Sequence, residues 1–412
     1  SESYDEQAGA HFTSRDIIYL MTELLVAPEK AEIMAEGCTK TAYDMAMGTS
    51  QMLGCLTERL REISEDAALT CFGQEFNPET YAIAKADMLI KGGNASGMKF
   101  GDTLSDDAFT GYEFDYIISN PPFGIDWKRE KTQVETEAKR GYDGRFGPGL
   151  PAISDGQMLF MLNGVKKLKE GSGRMAIIQN GSSLFTGDAG SGASEIRRYV
   201  IEGDLVEAII QLPTDLFYNT GISTYIWVIT KGKPMHRSGK VQLIDASKCF
   251  VKRRKNIGSK RVDLDDACIN LIIKAYEGFA DETYEENGLV VESKVFENRF
   301  FGFTKVTVET AQTDEDGNPI LKRGKHQPVK GASDTETIPL SENRDAYMEK
   351  NVLPYNPLAY IDPAKDKVGY EVPFTRLFYK FTQPTPSAEI FEEIKALEDE
   401  ETILMKELFG NA

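Results

Sequence analysis

Asn120-Pro121-Pro122-Phe123-Gly124 follows directly on an apolar run, Phe114-Asp115-Tyr116-Ile117-Ile118-Ser119, that reads as a buried strand. At average residue frequencies an Asn-Pro-Pro-Phe tetrapeptide arises by chance in on the order of one in several hundred chains of this length, so a rigid strand-end turn is the weaker explanation. The residue types suit transfer to a planar amine. The nitrogen lone pair of such an amine is delocalised into its ring, and two acceptors aimed at its hydrogens draw it towards tetrahedral character. The Asn120 side-chain carbonyl can be one acceptor and the Pro121 backbone carbonyl the other. Prolines at 121 and 122 fix φ and remove N–H donors, so the loop presents carbonyls in a stiff geometry. Phe123 can stack on a base, which must leave its duplex to reach such a loop. With a sulfonium as leaving group, neither a histidine nor a metal is required.

Three acidic positions precede this loop. Asp44 ends an apolar segment, Thr41-Ala42-Tyr43-Asp44, and is followed by Met45-Ala46-Met47-Gly48-Thr49-Ser50, where Gly48 lets a backbone approach a ligand. The segment is not G-x-G-x-x-G, so a dinucleotide pyrophosphate has no expected cradle. Glu75, 31 residues beyond Asp44, ends a second strand and can accept from both hydroxyls of a ribose. Asp102 follows a third, Met98-Lys99-Phe100, and can accept from an adenine amine. Each acid alone is more ordinarily a solvated loop carboxylate; their order before Asn120 is what gives them weight.

The elements needed to hold these groups alternate over the first 245 residues in the manner of an α/β sheet. Ser14-Arg15-Asp16 opens an amphipathic helix bearing Ile17, Leu20, Met21, Leu24 and Leu25, and Pro78 opens another. Further strands are expected at 175–178, 205–210 and 225–229, with helices at 158–168 and 267–276. Beyond residue 290 the pattern is lost, and 314–337 reads as an exposed loop or mobile insertion. From Ser387, as cap, Ile390, Ile394, Leu397, Leu404 and Leu408 form a helical stripe. It is either docked on its own domain or offered to a partner. The domains expected are a catalytic unit over 1–245, an extension over 246–386 and a partner-binding helix over 387–412.

Composition sets limits. The chain has 412 residues, 41% hydrophobic and 27% charged, which is a globular composition with room for more than one core. No run of eighteen apolar residues and no cationic-then-apolar leader is present, so neither a membrane span nor a signal peptide is expected, and the location expected is cytoplasmic. Five scattered cysteines and three scattered histidines give no metal or disulfide pattern. A net charge of −18 argues against gripping DNA alone. Lys252, Arg253, Arg254, Lys255, Lys260 and Arg261 nevertheless put six cations in ten residues. A solvated surface and a phosphate-contacting one both fit them, and DNA contact is the expectation carried forward.

With these sites in order, the sequence resembles the modification subunit of type I restriction–modification systems, which are N6-adenine DNA methyltransferases. Gly9-Ala10-His11-Phe12-Thr13-Ser14 is similar to that family's Gly-x-x-Phe-Thr-Pro cofactor motif, and Phe72-Gly73-Gln74-Glu75-Phe76-Asn77-Pro78 to its ribose-binding segment. Ser154-Asp155-Gly156-Gln157, Asn180-Gly181, the segment 212–221 and Val368-Gly369-Tyr370-Glu371-Val372-Pro373-Phe374 also read as family segments. The resemblance implies a Rossmann-like class I methyltransferase fold: a mixed, mostly parallel sheet with helices on both faces, and a C-terminal extension ending in a helix. It implies S-adenosylmethionine as cofactor, held by His11, Phe12, Thr13, Asp44, Gly48, Thr49, Ser50, Glu75, Asp102 and Asn120, with catalysis by Asn120, Pro121, Pro122 and Phe123. The partners implied are DNA, a specificity subunit, a second modification subunit and a restriction subunit.

Departures from the family pattern are specific. Its Pro is Ser14 here, and Asp-Pro-x-x-Gly-Thr-Gly-Gly reads Asp44-Met45-Ala46-Met47-Gly48-Thr49-Ser50-Gln51. The chain also starts almost at the cofactor motif, so the family's N-terminal helical domain is expected to lie outside it. Ser50 and Gln51 keep open a second reading, a cofactor-binding or scaffolding subunit weakened in catalysis. A third is a methyltransferase for a protein glutamine or an RNA base, since similar Asn-Pro-Pro-aromatic loops, commonly with Tyr in fourth place, serve planar amides and amines elsewhere.

Overall fold

The computed structural model describes residues 12–381 and 384–410, in two compact units divided after Phe374. The first unit opens with α1 (Arg15–Val26), whose apolar stripe is fully buried, and a single turn, α2 (Lys30–Ile33). Strands and helices then alternate: β1 (Thr39–Asp44), α3 (Gln51–Ile63), β2 (Ala68–Glu75), α4 (Pro78–Ile90), β3 (Met98–Phe100) and β4 (Tyr116–Ser119). Local chemistry fixes several boundaries. Asn77 Oδ1 accepts from the backbone N–H groups of Glu79 and Thr80, both at 3.0 Å, with Pro78 at the first helical position of α4. There follow α5 (Lys131–Ala138), α6 (Gln157–Lys167), β5 (Arg174–Asn180), α7 (Ser182–Phe185), α8 (Gly192–Glu202), β6 (Val206–Gln211), β7 (Thr224–Thr230) and β8 (Lys240–Asp245).

The sheet does not end at Asp245, where the first domain was expected to close. A hairpin, β9 (Val251–Ile257) and β10 (Lys260–Asp263), leads to α9 (Asp266–Gly278), and β11 (Glu282–Glu286) and β12 (Leu289–Glu297) then add to the same sheet. The order is β11-β12-β8-β6-β7-β5-β4-β1-β2-β3. β1 pairs in parallel with β2 and β4, β4 with β5, β2 with β3 and β6 with β8, whereas β7 lies antiparallel between β5 and β6. Side chains of β4, β5, β6 and β7 are almost all buried, as a sheet covered on both faces requires. Alternate residues face opposite ways. Ala42, Tyr116, Ile118, Ala176, Ile178, Ala208 and Ile210 join the core under α1, α3 and α9, whereas Met175 points at Gly164 of α6.

The segment after residue 300, which showed no pattern in sequence, is a second antiparallel sheet centred on β13 (Gly302–Thr310). The polar stretch at 314–337 is not structureless: it carries a small exposed hairpin, β14 (Leu321–Lys322) with β15 (Lys325–His326), and the start of β16 (Asp334–Pro339). α10 (Arg344–Asn351), β17 (Ala359–Ile361) and β18 (Lys367–Tyr370) complete it. Its core is Val306, Val308, Ile338, Met348 and Val352. Fully buried Arg197 of α8 ties this sheet to the large one, donating to the backbone carbonyls of Tyr370 (2.5 Å), Thr186 (2.9 Å) and Ser183 (3.2 Å). α11 (Phe374–Phe378) crosses into the second unit, whose one long element is α12 (Ser387–Phe409). Ser387 is its first helical residue rather than its cap; Pro386 stands at that position. Among the described residues no helix is long and apolar enough to cross a membrane.

Candidate active site

Strand order reverses around β1, with β2 on one side and β4 on the other, and a crevice opens beyond the carboxyl ends of such strands. A cavity of about 260 Å³ lies there. The structure brings Phe12, Thr13, Asp44, Gly48, Thr49, Glu75, Asp102, Asn120 and Pro122 to its walls. Expected His11 lies outside the described residues. Ser50, Pro121 and Phe123 do not line the cavity: Ser50 and Pro121 are buried, and Phe123 is half-buried against the main core.

Asn120 is the first residue after β4 and is 7% exposed. Its Nδ2 donates to Thr13 Oγ1 at 2.9 Å, while its Oδ1, also buried, has no hydrogen-bond partner among the described residues. A buried carbonyl without a donor is costly, and at the wall of a cavity this one is free to accept an N–H. The loop behind it is braced. The Gly124 N–H donates to Asp155 Oδ1 (3.2 Å), the Trp127 N–H to the Ile153 carbonyl (3.1 Å), Trp127 Nε1 to the Ala152 carbonyl (3.0 Å), and the Gly156 N–H to the Ile125 carbonyl (3.0 Å). Gln157 Nε2 links Asp155 Oδ2 (2.6 Å) to Asn180 Oδ1 (2.8 Å) at the end of β5. Residues 154–157 and Asn180 carried no role in the sequence reading. The sequence marks them only as segments shared with the family, because the contacts of Asp155 and Gly156 with the loop are long-range and Asn180 reaches it through Gln157.

On the cofactor side, Gly48 takes φ +53° and Ser50 takes φ +66°, the left-handed region that glycine fills without strain. Ser50 therefore keeps the backbone shape that the family's glycine would give, at a local cost of roughly 1–2 kcal/mol. Glu75 fixes this loop as well as facing the cavity: Oε2 accepts from the Gly48 N–H (2.9 Å) and Oε1 from the Asn77 N–H (2.8 Å). Asp102 Oδ1 accepts from the N–H groups of Leu104 (2.9 Å) and Ser105 (2.8 Å). Its other oxygen takes no hydrogen bond among the described residues. Met45, Ile18, Ile125 and Phe160 add apolar wall that the sequence reading did not single out.

The electrostatics favour a cation. Asp44, Glu75 and Asp102 face the cavity, and among the described residues no Lys, Arg or His lines it. Asp44 is 1% exposed; burial pushes its carboxyl up to about 7 from an ordinary 3.8, against hydrogen bonds from Ser119 Oγ (2.7 Å) and the Ala46 N–H (3.1 Å). A carboxylate so desolvated, with no positive partner among the described residues, is suited to a positively charged ligand.

The basic segment divides. Lys252, Arg254, Lys255 and Arg261 are exposed on the β9–β10 hairpin, and Arg253 pairs with Asp263 at 2.5 Å. Lys260 corrects the expectation of DNA contact. It is 1% exposed and points inward, donating to Asp16 Oδ2 (2.9 Å), Leu216 O (3.0 Å) and Ser14 Oγ (3.1 Å). Charge alone could not distinguish it, because a strand turns alternate side chains to opposite faces.

Comparison with known proteins gives the family and the fold. The family model described as N-6 DNA Methylase matches residues 1–316. The type I restriction enzyme MjaIX methylase subunit of Methanocaldococcus jannaschii is 28% identical over 311 residues, covering 75% of this chain and 51% of that one. The HindI methylase subunit of Haemophilus influenzae is 26% identical over 331 residues, covering 78% and 69%. The solved type I restriction–modification methyltransferase subunit from Streptococcus thermophilus superposes with a TM-score of 0.58 and 26% identity, over 71% of this chain and 56% of that one. The chain spans about half the length of most curated relatives it matches. The expected Rossmann-like class I methyltransferase fold is what the β3-β2-β1-β4-β5-β7-β6 order and these likenesses give. The chain belongs to the N-6 DNA methylase family.

Proposed function

We propose that this chain is the methyl-transferring part of a type I modification subunit, acting on the N6 amine of adenine in DNA with S-adenosylmethionine as donor. The observation that carries the reading is Asn120 Oδ1, a buried acceptor without a partner among the described residues, in the wall of an acidic cavity. S-adenosylmethionine, when bound, supplies a methyl group on a positively charged sulfur. Asp44 offers its carboxylate to the donor's positive charge, Glu75 and Asp102 offer oxygens to its ribose and adenine, and the left-handed turn at Gly48 lets the backbone come close. Asn120 Oδ1 and the Pro121 carbonyl would accept the two amine hydrogens and localise the nitrogen lone pair, readying it to take the donor's methyl group. The nitrogen then gives up one proton, which the acceptors lead towards solvent; the carboxylates of Asp44, Glu75 and Asp102 that line the cavity are given to the donor in this scheme.

The relatives are named as subunits of type I restriction enzymes, which supports assembly with a specificity subunit, a second modification subunit and a restriction subunit, in the cytoplasm where DNA lies. A net charge of −18 fits DNA held largely by such partners. α12 is the element offered to them, with Ile390, Ile394, Leu397, Leu404 and Leu408 along it. Ser50 gives no support to an idle scaffold, because it holds the loop conformation. Methyl transfer to adenine-containing DNA by the chain assembled with its specificity subunit tests the proposal; transfer to RNA or protein but not to DNA would refute it. Asn120→Ala should lower kcat on the order of 10²-fold with the donor affinity little changed. Glu75→Ala should weaken donor binding about tenfold with a smaller effect on kcat at saturation. Equal losses in both properties for both variants would overturn this division of roles.

A further inference from the structure

Asn120 can serve as an acceptor only if its amide is turned the right way, since rotating the side chain by half a turn exchanges its oxygen and nitrogen. Among the described residues the amide makes one hydrogen bond, from Nδ2 to Thr13 Oγ1 at 2.9 Å, in the orientation that leaves Oδ1 free to accept. Thr13 is 107 residues away in sequence and lies just before α1, so something must seat it. The buried cation on the β9–β10 hairpin does so. Lys260 Nζ reaches Ser14 Oγ (3.1 Å) and Asp16 Oδ2 (2.9 Å) from one side and the Leu216 carbonyl (3.0 Å) from the other. Asp16 Oδ2 also accepts the Leu264 N–H at 3.0 Å, just past β10. Asp16 Oδ1 in turn accepts from Ser14 Oγ and from the Ile17 N–H in the first turn of α1. The hairpin is itself fixed to residues 215–218: the Ser259 N–H donates to the Tyr218 carbonyl at 2.7 Å and the Arg261 N–H to the Asp215 carbonyl at 2.8 Å. At its tip Gly258 has φ +57°, and a Cβ there would meet the Tyr218 carbonyl at 2.3 Å, so only glycine allows the approach.

We infer that Lys260 and Thr13 are positioning residues for the Asn120 amide: Lys260 latches residues 14–16 to the hairpin, and Thr13, so seated, keeps Asn120 Oδ1 turned to the incoming amine. The inference rests on the proposed amine methylation. Lys260 touches no substrate in this scheme, and Thr13 acts through Nδ2 of Asn120. A buried lysine with three hydrogen-bond acceptors from two other segments, and with Asp263 Oδ1 of its own hairpin 3.2 Å away, serves better as a latch than as a phosphate contact. Removing the Thr13 acceptor leaves Nδ2 buried with nothing to donate to, which frees the amide to turn.

The test uses the chain assembled with its specificity subunit on adenine-containing DNA. Thr13→Val should lower kcat at saturating S-adenosylmethionine about tenfold or more, a loss separate from any weakening of donor binding. Thr13→Ser, which keeps the acceptor, should recover most of that loss. Lys260→Met should lower kcat in the same direction and speed amide hydrogen exchange over residues 13–18. The double variant should lose no more than the worse single one, because both act on one amide. Unchanged kcat in Thr13→Val, a loss confined to donor affinity, or fully additive losses would each overturn the inference. If Lys260→Met does not fold, Ser14→Ala and Asp16→Asn cut the same latch and carry the same expectations. A wild-type complex that transfers no methyl group defeats the proposed function instead, and hydrogen exchange then still reports whether Lys260 orders residues 13–18.

Discussion

Asp44 is the residue at which folding and ligand binding pull hardest against each other. Its carboxyl is buried without a cation and pushed up to about 7 from 3.8. A group whose folded value is raised contributes stability that is full below about 4 and lost as pH rises through about 7. The cofactor-free chain should therefore lose stability across that window, and Asp44→Asn, which keeps the shape and an acceptor for Ser119, should remove this part of the slope. Denaturation midpoints of both proteins from pH 4 to 8 check it; parallel curves would refute the assignment. Binding of a cationic donor has the opposite sign, because it selects the ionised form. Affinity for S-adenosylmethionine should rise with pH up to about 7 and then level off, and Asp44→Asn should weaken it and flatten the profile. Calorimetry over the same range decides this.

Among the elements, legibility in sequence followed burial. β4, β5, β6 and β7 are covered on both faces, so they read as continuous apolar runs such as Ile117-Ile118 and Tyr225-Ile226-Trp227-Val228-Ile229. The Asn120 loop was legible because its tetrapeptide is rare and its strand is one of these. β13 and β16 were not: of β16 only Ile338 is buried, and β13 buries Val306 and Val308 between Thr and Lys residues, too few to show a period. Lys260 and Thr13 were misread or half-read because their partners lie 244 and 107 residues away, and a pattern of neighbours carries no such information. Arg197 belongs with them. Burial lowers its guanidinium to about 10, yet it satisfies three backbone carbonyls from α7, the turn after it and β18. Arg197→Met should destabilise the fold by roughly 2–4 kcal/mol through those orphaned carbonyls. The loss should appear in urea unfolding with the small sheet melting first. A variant with wild-type midpoint and slope would show that β18 is held without it.

For the whole molecule, the question is how a chain with 65 acidic and 47 basic residues meets DNA. Self-repulsion disfavours unaided binding, so its own contribution must be local. The exposed cations of the β9–β10 hairpin, Lys252, Arg254, Lys255 and Arg261, are suited to this, because the same hairpin is bonded through Lys260 to the segment that seats Asn120. Each phosphate contact releases counterions and adds about 0.9 to the slope of log affinity against log salt. Changing these four residues to Gln should therefore lower the slope of the assembled complex by up to about 4, and weaken binding similarly for all sequences, since phosphate contacts carry no base information. Affinity for S-adenosylmethionine without DNA should not change, because Lys260 is left in place. Filter binding of the complex over a range of salt concentrations measures the slope. If it is unchanged, the hairpin serves only as the latch on the N-terminal segment, and DNA is held by the partners alone.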